Sequence, residues 1–175
     1  MDKISIMITE DEIKKSVAEI GRKISKDYAD KKITAISVLN GAFIFTADLL
    51  RNLTVDVELK FIRAKSYLGT QTTGSVQVQQ TEELDIAGKD VLIIEDIIDS
   101  GNTLEALKNK FEKLGCASCK MVTFLDKPSR RTANVTPDYC CYEIEDKFVV
   151  GYGLDYNEKY RQLPYVGIVT PDEAE

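Results

Sequence analysis

The chain has 175 residues, enough for one domain with a substantial core and too few for two comfortable ones. Its 43% hydrophobic and 30% charged residues are typical of a soluble globular protein, and its net charge of -6 argues against a nucleic-acid-binding protein, which usually carries a basic face. The sequence shows no apolar run of membrane-spanning length and no signal-peptide pattern at its start, so we expect a cytoplasmic protein without nucleic-acid or membrane partners.

The first third of the chain predicts a helix, a strand and a second helix. The capping-box pattern at Thr9–Glu12 and apolar residues at intervals of three and four predict an amphipathic helix to about Tyr28. The β-branched run Ile33–Leu39 predicts a buried strand, which ends at Asn40–Gly41. Ala42–Arg51 predicts a helix that is apolar on most sides, so that it forms either part of the core or a subunit interface.

The middle of the chain alternates between strands and polar segments. Thr54–Arg63 has the period of a strand, whereas Lys65–Ser75 is polar and rich in glycine, which predicts a long mobile loop. Alternation resumes at Val76, and the branched apolar run Val91–Ile94 predicts a strand buried on both faces.

A helix is predicted from about Leu104 to Gly115, with further strands after it. Repeated strand, helix and strand units predict an α/β fold with a mostly parallel sheet, beside which the two chain ends form a small cap. Cys116 and Cys119 have redox or zinc-knuckle spacing, but the chain contains no histidine and no second C-x-x-C, so we interpret its four cysteines as reduced structural thiols. The further strands are Lys120–Leu125, Tyr139–Ile144 and Phe148–Val150.

The segment Val91–Leu104, V-L-I-I-E-D-I-I-D-S-G-N-T-L, carries the strongest functional signal. Carboxylates follow a buried parallel strand, and small residues then lead into a helix, whose N-terminal amides and dipole favour phosphate. Ligands of open parallel sheets bind beyond the carboxyl ends of the strands. Taken separately, these features also suit a solvated strand end and an ordinary N-capped turn. Together they indicate a pocket for a phosphorylated ribose.

This segment resembles the phosphoribosyl diphosphate (PRPP) signature of type I phosphoribosyltransferases. With K-S-Y at Lys65–Tyr67, L-D-K-P-S-R-R at Leu125–Arg131 and D-K-F-V-V-G-Y-G-L-D-Y-N-E-K-Y-R at Asp146–Arg161, the chain resembles hypoxanthine-guanine phosphoribosyltransferases from about Ile6 to Val169. The resemblance implies the type I phosphoribosyltransferase fold, with a mostly parallel central sheet flanked by helices. It further implies a single domain over 1–175, with a hood formed by the N-terminal segment and about 150–175.

The resemblance assigns the PRPP side of the site. Glu95 and Asp96 would bind the ribose hydroxyls, with or without Mg²⁺ between them, and oxygen ligands of this kind suit a hard cation. Asp99 would be the general base that takes the purine N7 proton, although it could also be only a helix cap. The 5-phosphate would lie on the turn formed by Ser100, Gly101, Asn102 and Thr103.

The resemblance also assigns the purine and pyrophosphate sides. Lys127 would donate to the purine O6, Phe148 would stack on the base, and Val149 would contact its edge through backbone groups. Without the resemblance, Lys127 would be interpreted as a surface charge and Phe148 as a core residue. Asp155 would bind a second Mg²⁺ near the base, so the implied metal ligands are Glu95, Asp96 and Asp155. Arg161 would hold pyrophosphate, for which its guanidinium fork is suited.

Two loops complete the implied site. Leu39-Asn40-Gly41 lies where the family often has Leu-Lys-Gly, so Asn40 and Gly41 would contact pyrophosphate through backbone groups, whereas a role for a lysine charge is lost here. Ser66 and Tyr67 match the dipeptide of a mobile loop that closes over the reaction centre and excludes water. By the residues alone, the same segment would be a plain surface loop.

The activity implied is transfer of the phosphoribosyl group from PRPP to hypoxanthine or guanine, which gives IMP or GMP and pyrophosphate. The alternatives are a xanthine-preferring phosphoribosyltransferase and a non-catalytic PRPP- or nucleotide-sensing regulator on the same fold. A regulator would be expected to lose the base and purine contacts, whereas this chain keeps Asp99, Lys127 and Asp155. The resemblance also implies a homodimer or homotetramer.

Overall fold

The computed structural model describes residues 3–66, 76–80 and 84–170. Its main sheet has six strands in the order β4-β3-β2-β5-β6-β7, and a second sheet has three strands in the order β1-β9-β8. The helices are α1 Glu10–Asp27, α2 Phe43–Arg51, α3 Asn102–Lys113 and the short 3-10 helix Pro128–Arg130. The strands are β1 Lys3–Ile8, β2 Lys32–Leu39, β3 Asp56–Ser66, β4 Val76–Gln80, β5 Asp90–Ile98, β6 Ser118–Asp126, β7 Tyr139–Glu143, β8 Val149–Val150 and β9 Val166–Thr170.

The first helix begins as its sequence predicts. The amide of Glu12 donates to the Thr9 hydroxyl at 3.3 Å, and the Thr9 amide donates to the Glu12 carboxylate at 2.8 Å, so both halves of the capping box form. These bonds satisfy amides that an uncapped helix end would leave without a partner. The apolar stripe that follows buries Ile13, Val17 and Ile24 against the sheet and α2.

The main sheet is parallel along β3, β2, β5, β6 and β7, and only β4 runs antiparallel, which confirms the predicted α/β class. Both of its faces are covered, as buried parallel strands require. On one face α1, α2 and the second sheet enclose a core around Phe124, whose ring lies 5.5 Å from that of Phe45. On the other face Leu107 and Phe111 of α3 pack against Ile93. The carboxyl ends of the parallel strands are left for a ligand.

Strand β5 is longer than the apolar run that predicted it. Pairing with β6 continues through Ile97 and Ile98, which lie opposite Leu125 and Asp126. The prediction that the strand ends at Ile94 is therefore wrong, and Glu95 and Asp96 lie within β5 rather than after it. Strand β3 likewise continues to Ser66, three residues past the predicted end.

The two chain ends meet in the smaller sheet, which we call the hood and which comprises β1, β8 and β9. Strand β9 pairs antiparallel with both β1 and β8. This arrangement confirms the predicted hood, although β1 and β9 themselves were not predicted as strands. All four cysteines are free thiols, as predicted. None of the helices in the described ranges has the length and apolarity needed to cross a membrane.

Candidate active site

A cavity of about 340 Å³ opens at the carboxyl ends of β2 and β5, where an open parallel sheet binds its ligands. The polar residues that line it come from the loop after β2, from the end of β5 and from the turn before α3. Most of the predicted PRPP-site residues are therefore brought together in one cavity. Its lining includes Asn40, Gly41, Glu95, Asp96, Asp99, Ser100, Gly101 and Thr103.

The acidic pair in β5 is largely buried, and it has no neutralising partner within the part of the chain whose side chains are described. Glu95 is buried and Asp96 is partly buried, and no lysine or arginine of the described residues lies within ion-pair distance of either carboxylate. Burial raises the pKa of Glu95 well above its usual 4.5, and the charge of Asp96 raises it further. Burial also raises the pKa of Asp96, although a hydrogen bond from the Ile97 amide and the charge of Arg161 act against it.

Such a pair is chemically suited to a cation or to hydroxyl donors, since either would relieve the cost of two adjacent buried carboxylates. Among the described residues, no three Asp, Glu, Cys or His side chains are arranged to hold a metal ion, so Asp155 is not clustered with Glu95 and Asp96. Mg²⁺ in phosphate-transfer sites commonly takes one or two carboxylates and completes its shell with substrate oxygens and water. The acidic pair fits that mode of binding.

The loop after β2 lies directly against the acidic pair. A Cβ atom at Gly41 would overlap the Asp96 carboxylate, so only glycine allows this close approach. A Cβ atom at Gly153 would in turn overlap the Gly41 carbonyl. The loop carrying Asn40 and Gly41 is therefore packed between β5 and the segment that follows β8. The peptide bond between Leu39 and Asn40 is cis.

The turn before α3 has the shape of a phosphate cradle. Gly101 is the N-cap residue, with a φ of 82° that favours glycine, and it has no side chain with which to cap the helix. Asp99 is therefore not the helix cap, and the structural alternative for this residue is wrong. The Ser100 hydroxyl accepts a hydrogen bond from the Asn102 amide at 3.4 Å. The Asn102 side chain is exposed, whereas Thr103 lines the cavity.

Lys127 lies at the centre of a cluster of charges. Its side chain is buried, with the residue 7% exposed, and its Nζ lies 3.6 Å from Oδ1 of Asp99 and 3.6 Å from Oδ1 of Asp146. The interpretation of Lys127 as a surface charge is therefore wrong. Arg130 donates to Asp146 at 3.0 Å and lies 4.0 Å from Asp99. That hydrogen bond, together with the charges of Arg130 and Lys127, lowers the pKa of Asp146.

Phe148 presents an open aromatic face. Its side chain is 54% exposed, and its ring meets Tyr156 edge-on, with the ring centroids 5.4 Å apart. The interpretation of Phe148 as a core residue is therefore wrong. Val149 is buried in β8 and pairs with Ile168 of β9, which fixes the backbone beside the exposed ring.

Arg161 is held by three acceptors. Its Nη2 lies 3.0 Å from Asp155 and 3.1 Å from Glu158, and its Nη1 donates to the Gly153 carbonyl at 2.8 Å. Since Gly153 packs on the loop containing Gly41, the guanidinium is placed near the acidic pair, and its charge is felt there in the pKa of Asp96. Asp155 is thus engaged by Arg161 and by the Glu158 amide at 2.9 Å.

The remaining predictions concern the predicted loop Lys65–Ser75, of which residues 67–75 lie outside the described residues. Ser66 is the last residue of β3, and Tyr67 lies outside the described residues. Sequence reasoning also missed residues that contribute contacts at the site. Their only signal was membership of the two quoted motifs, which does not show which side chains will meet. These residues are Arg130, Arg131, Asp146 and Tyr156.

Comparisons with known proteins agree with this geometry. The family model described as the phosphoribosyl transferase domain matches residues 7–157. The chain is 46% identical over 168 residues to the hypoxanthine-guanine phosphoribosyltransferase of Bacillus subtilis (strain 168), covering 95% of this chain and 93% of the relative. It is 46% identical over 169 residues to the hypoxanthine phosphoribosyltransferase of Escherichia coli (strain K12), covering 95% of each.

A solved structure is equally similar in shape. The crystal structure of a hypoxanthine-guanine phosphoribosyltransferase from Bacillus anthracis superposes with a TM-score of 0.91 at 40% sequence identity. The match covers 98% of this chain and 100% of the other. Agreement over both whole chains extends to the hood as well as the main sheet.

Proposed function

This chain belongs to the phosphoribosyl transferase family, and we propose that it transfers the 5-phosphoribosyl group from PRPP to hypoxanthine or guanine, giving IMP or GMP and pyrophosphate. The observation that carries this proposal is the pairing of Lys127 with Asp99, a donor and an acceptor 3.6 Å apart at the edge of the PRPP cavity. A 6-oxopurine presents the complementary pattern, since its O6 acceptor lies next to N7–H.

The same pairing predicts that adenine is rejected. The ammonium of Lys127 has three donors and no acceptor, whereas adenine carries an amino donor where hypoxanthine and guanine carry O6. Two facing donors leave a buried polar group without a partner, which is costly and therefore discriminating. Phe148 supplies an exposed ring on which the base stacks, and Val149 supplies the adjacent backbone.

The phosphates are held by different parts of the chain. The amides of Ser100–Thr103, at the positive end of α3, receive the 5-phosphate. The guanidinium of Arg161 receives pyrophosphate oxygens by exchanging its present carboxylate partners for phosphate, assisted by the backbone of Asn40 and Gly41. Glu95 and Asp96 accept hydrogen bonds from the ribose hydroxyls.

Mg²⁺ is the proposed cofactor, held by Glu95 and Asp96, with Asp155 as the ligand for a second ion. When bound, Mg²⁺ neutralises charge on the pyrophosphate of PRPP. The support for it is the buried, unneutralised acidic pair and the raised pKa of Glu95.

The reaction steps follow from these placements. N9 of the base attacks the anomeric carbon as the bond to pyrophosphate breaks, through a sugar with oxocarbenium character. Asp99 accepts the N7 proton, while Lys127 stabilises the charge that develops on O6. Arg161 holds the departing pyrophosphate. Closure over the site of the segment that begins with Ser66 and Tyr67, which would exclude water, is part of the proposal.

A homo-oligomer and a cytoplasmic location are further parts of the proposal. Phe43 of α2 and Phe61 of β3 are both more than one-third exposed, whereas Ile44, Leu50 and Leu59 pack against the core. Exposed aromatic side chains of this size favour association with a second copy.

The test is turnover of purified protein with PRPP and Mg²⁺, offering hypoxanthine, guanine, xanthine and adenine in turn. Turnover with hypoxanthine or guanine, absent with adenine and strongly lowered in Asp99→Asn, is expected. A higher kcat/KM for xanthine would favour the xanthine-preferring alternative. PRPP binding without turnover of any base would favour the regulator.

A further inference from the structure

The guanidinium of Arg131 connects three segments of the site. Its Nε donates to the backbone carbonyl of Asp99 at 3.2 Å, its Nη1 donates to the carbonyl of Val135, and its Nη2 forms an ion pair with the Asp126 carboxylate. The side chain is only 15% exposed and that of Asp126 only 7%. Together the three contacts fix the orientation of the planar guanidinium group.

Each acceptor is attached to a different functional group. Asp126 directly precedes Lys127 at the end of β6, and the Asp99 carbonyl belongs to the proposed general base at the end of β5. Val135 packs behind the phosphate turn, since a Cβ atom at Gly101 would lie 2.6 Å from a Val135 methyl and 2.8 Å from Cδ of Arg131. One side chain thus contacts the residue before Lys127, the backbone of Asp99 and the residue that packs against the Ser100–Thr103 turn.

The residues that follow Arg131 reinforce the same turn through the backbone. The amides of Thr132 and Ala133 both donate to the Ser100 carbonyl at 3.0 Å. The Asn134 amide donates to the Glu105 carboxylate of α3 at 3.1 Å. These bonds hold the phosphate turn without the Arg131 side chain, so the guanidinium itself acts mainly on Asp99 and on the Asp126–Lys127 pair.

We propose that Arg131 is a positioning residue that holds Asp99 at a fixed distance from Lys127. The carboxylate of Asp99 and the ammonium of Lys127 can then contact the same edge of the purine together. This inference rests on the proposed function of Asp99 and Lys127. Each of its three nitrogens already bonds to the protein, which assigns Arg131 a role through Asp99 and Asp126.

Arginine is required here because of its geometry. A lysine could keep the charge opposite Asp126, but a single ammonium cannot reach three acceptors that surround a planar fork. The Asp99 carbonyl would then lose its donor, and the base could move relative to the purine. A displacement of about 1 Å at a reacting group can lower the rate roughly 100-fold.

The experiment compares Arg131→Lys in two backgrounds, the natural chain and Asp99→Asn. In the natural chain, Arg131→Lys should lower kcat at least about tenfold while the KM values for PRPP and hypoxanthine change less than about threefold. In the Asp99→Asn background the same change should lower kcat less than about twofold, because residues that act as a unit are non-additive. Radiolabelled hypoxanthine and long incubations keep slow turnover measurable. Arg22→Lys, an exposed arginine on α1, is the matched control.

The outcomes separate the inference from the function on which it rests. An equal loss of kcat in both backgrounds, no loss in either, or an effect confined to KM would overturn the positioning role. If Asp99→Asn leaves kcat unchanged, the proposed role of Asp99 fails, and the positioning role fails with it. Melting temperatures of all variants show whether a loss of kcat reflects unfolding instead, which would also overturn the positioning role.

Discussion

Replacing Lys127 by methionine tests how the site selects its base. Lys127 is 7% exposed and has two anionic neighbours, Asp99 and Asp146, each 3.6 Å away. A hydrogen bond from a charged donor contributes about 1.5–3 kcal/mol, so its loss should lower kcat/KM for hypoxanthine by roughly 10- to 150-fold. Methionine keeps a flexible apolar stem of similar length, so the effect should come from the ammonium.

The same change should cost the fold little. The side chains of Asp99 and Asp146 are 48% and 49% exposed, so water can solvate both carboxylates when the lysine is gone. Ion pairs with exposed partners contribute about 0–1 kcal/mol each, which limits the loss of unfolding free energy to about 2 kcal/mol. For a chain of this size that corresponds to at most about 8 °C in Tm.

The assay measures kcat/KM for hypoxanthine and for adenine in the same preparation. Without the facing donor, adenine is no longer penalised, so the hypoxanthine-to-adenine ratio should fall by at least about tenfold. Lys14→Met is the control, since Lys14 is an exposed helical lysine that forms an ion pair with Glu10 on the same helix. An unchanged ratio in a folded Lys127→Met variant would refute the assignment of Lys127 to O6.

Three further results are expected. Burial raises the pKa of Glu95 above 4.5 in the folded chain, so the natural protein should lose stability as pH rises from about 4.5 through that raised pKa. Glu95→Gln should reduce this loss and have a higher Tm than the natural protein at neutral pH. A lower Tm for the variant at pH 7.5 would contradict this reasoning. Arg131→Met leaves the buried Asp126 carboxylate unpaired and should lower the unfolding free energy by about 3–5 kcal/mol in denaturant titration, and a loss below about 1 kcal/mol would show that Asp126 has another partner. Phe148→Ala should raise KM for hypoxanthine by roughly 5- to 150-fold and leave KM for PRPP unchanged, since base stacking contributes about 1–3 kcal/mol; equal effects on both substrates would contradict a stacking role.

Local patterns were sufficient to predict the parallel sheet but not the residue at which β5 ends. The run Val91–Ile94 predicted a buried strand because four branched apolar residues in a row fit a strand that is covered on both faces. The strand continues to Ile98 because β6 supplies pairing partners, and those partners are more than 25 residues away in sequence. As a result Glu95 and Asp96 lie within a strand, where burial raises both of their pKa values.

The charge cluster around Lys127 could not be predicted for the same reason. Asp99, Lys127 and Asp146 belong to three segments that meet only when β5, β6 and the chain after β7 are aligned. The family resemblance assigned roles to Asp99 and Lys127, but it did not assign one to Asp146 or to either neighbouring arginine. Exposure is likewise a tertiary property, and it reversed the core interpretation of Phe148.

Lys127 and Arg131 lie in one short segment but differ in the expected effect of their removal. The difference follows from how exposed the carboxylate partners of each residue are. Lys127 faces carboxylates that remain half in water, so its removal affects the chemistry of the base more than the fold. Arg131 faces a carboxylate that is only 7% exposed, so its removal should affect the fold first, and the charge-preserving Arg131→Lys is the variant that exposes its effect on Asp99. A screen that replaced both residues by alanine would record two losses of activity and miss this difference, which appears only when unfolding free energy and kcat are measured on the same variants.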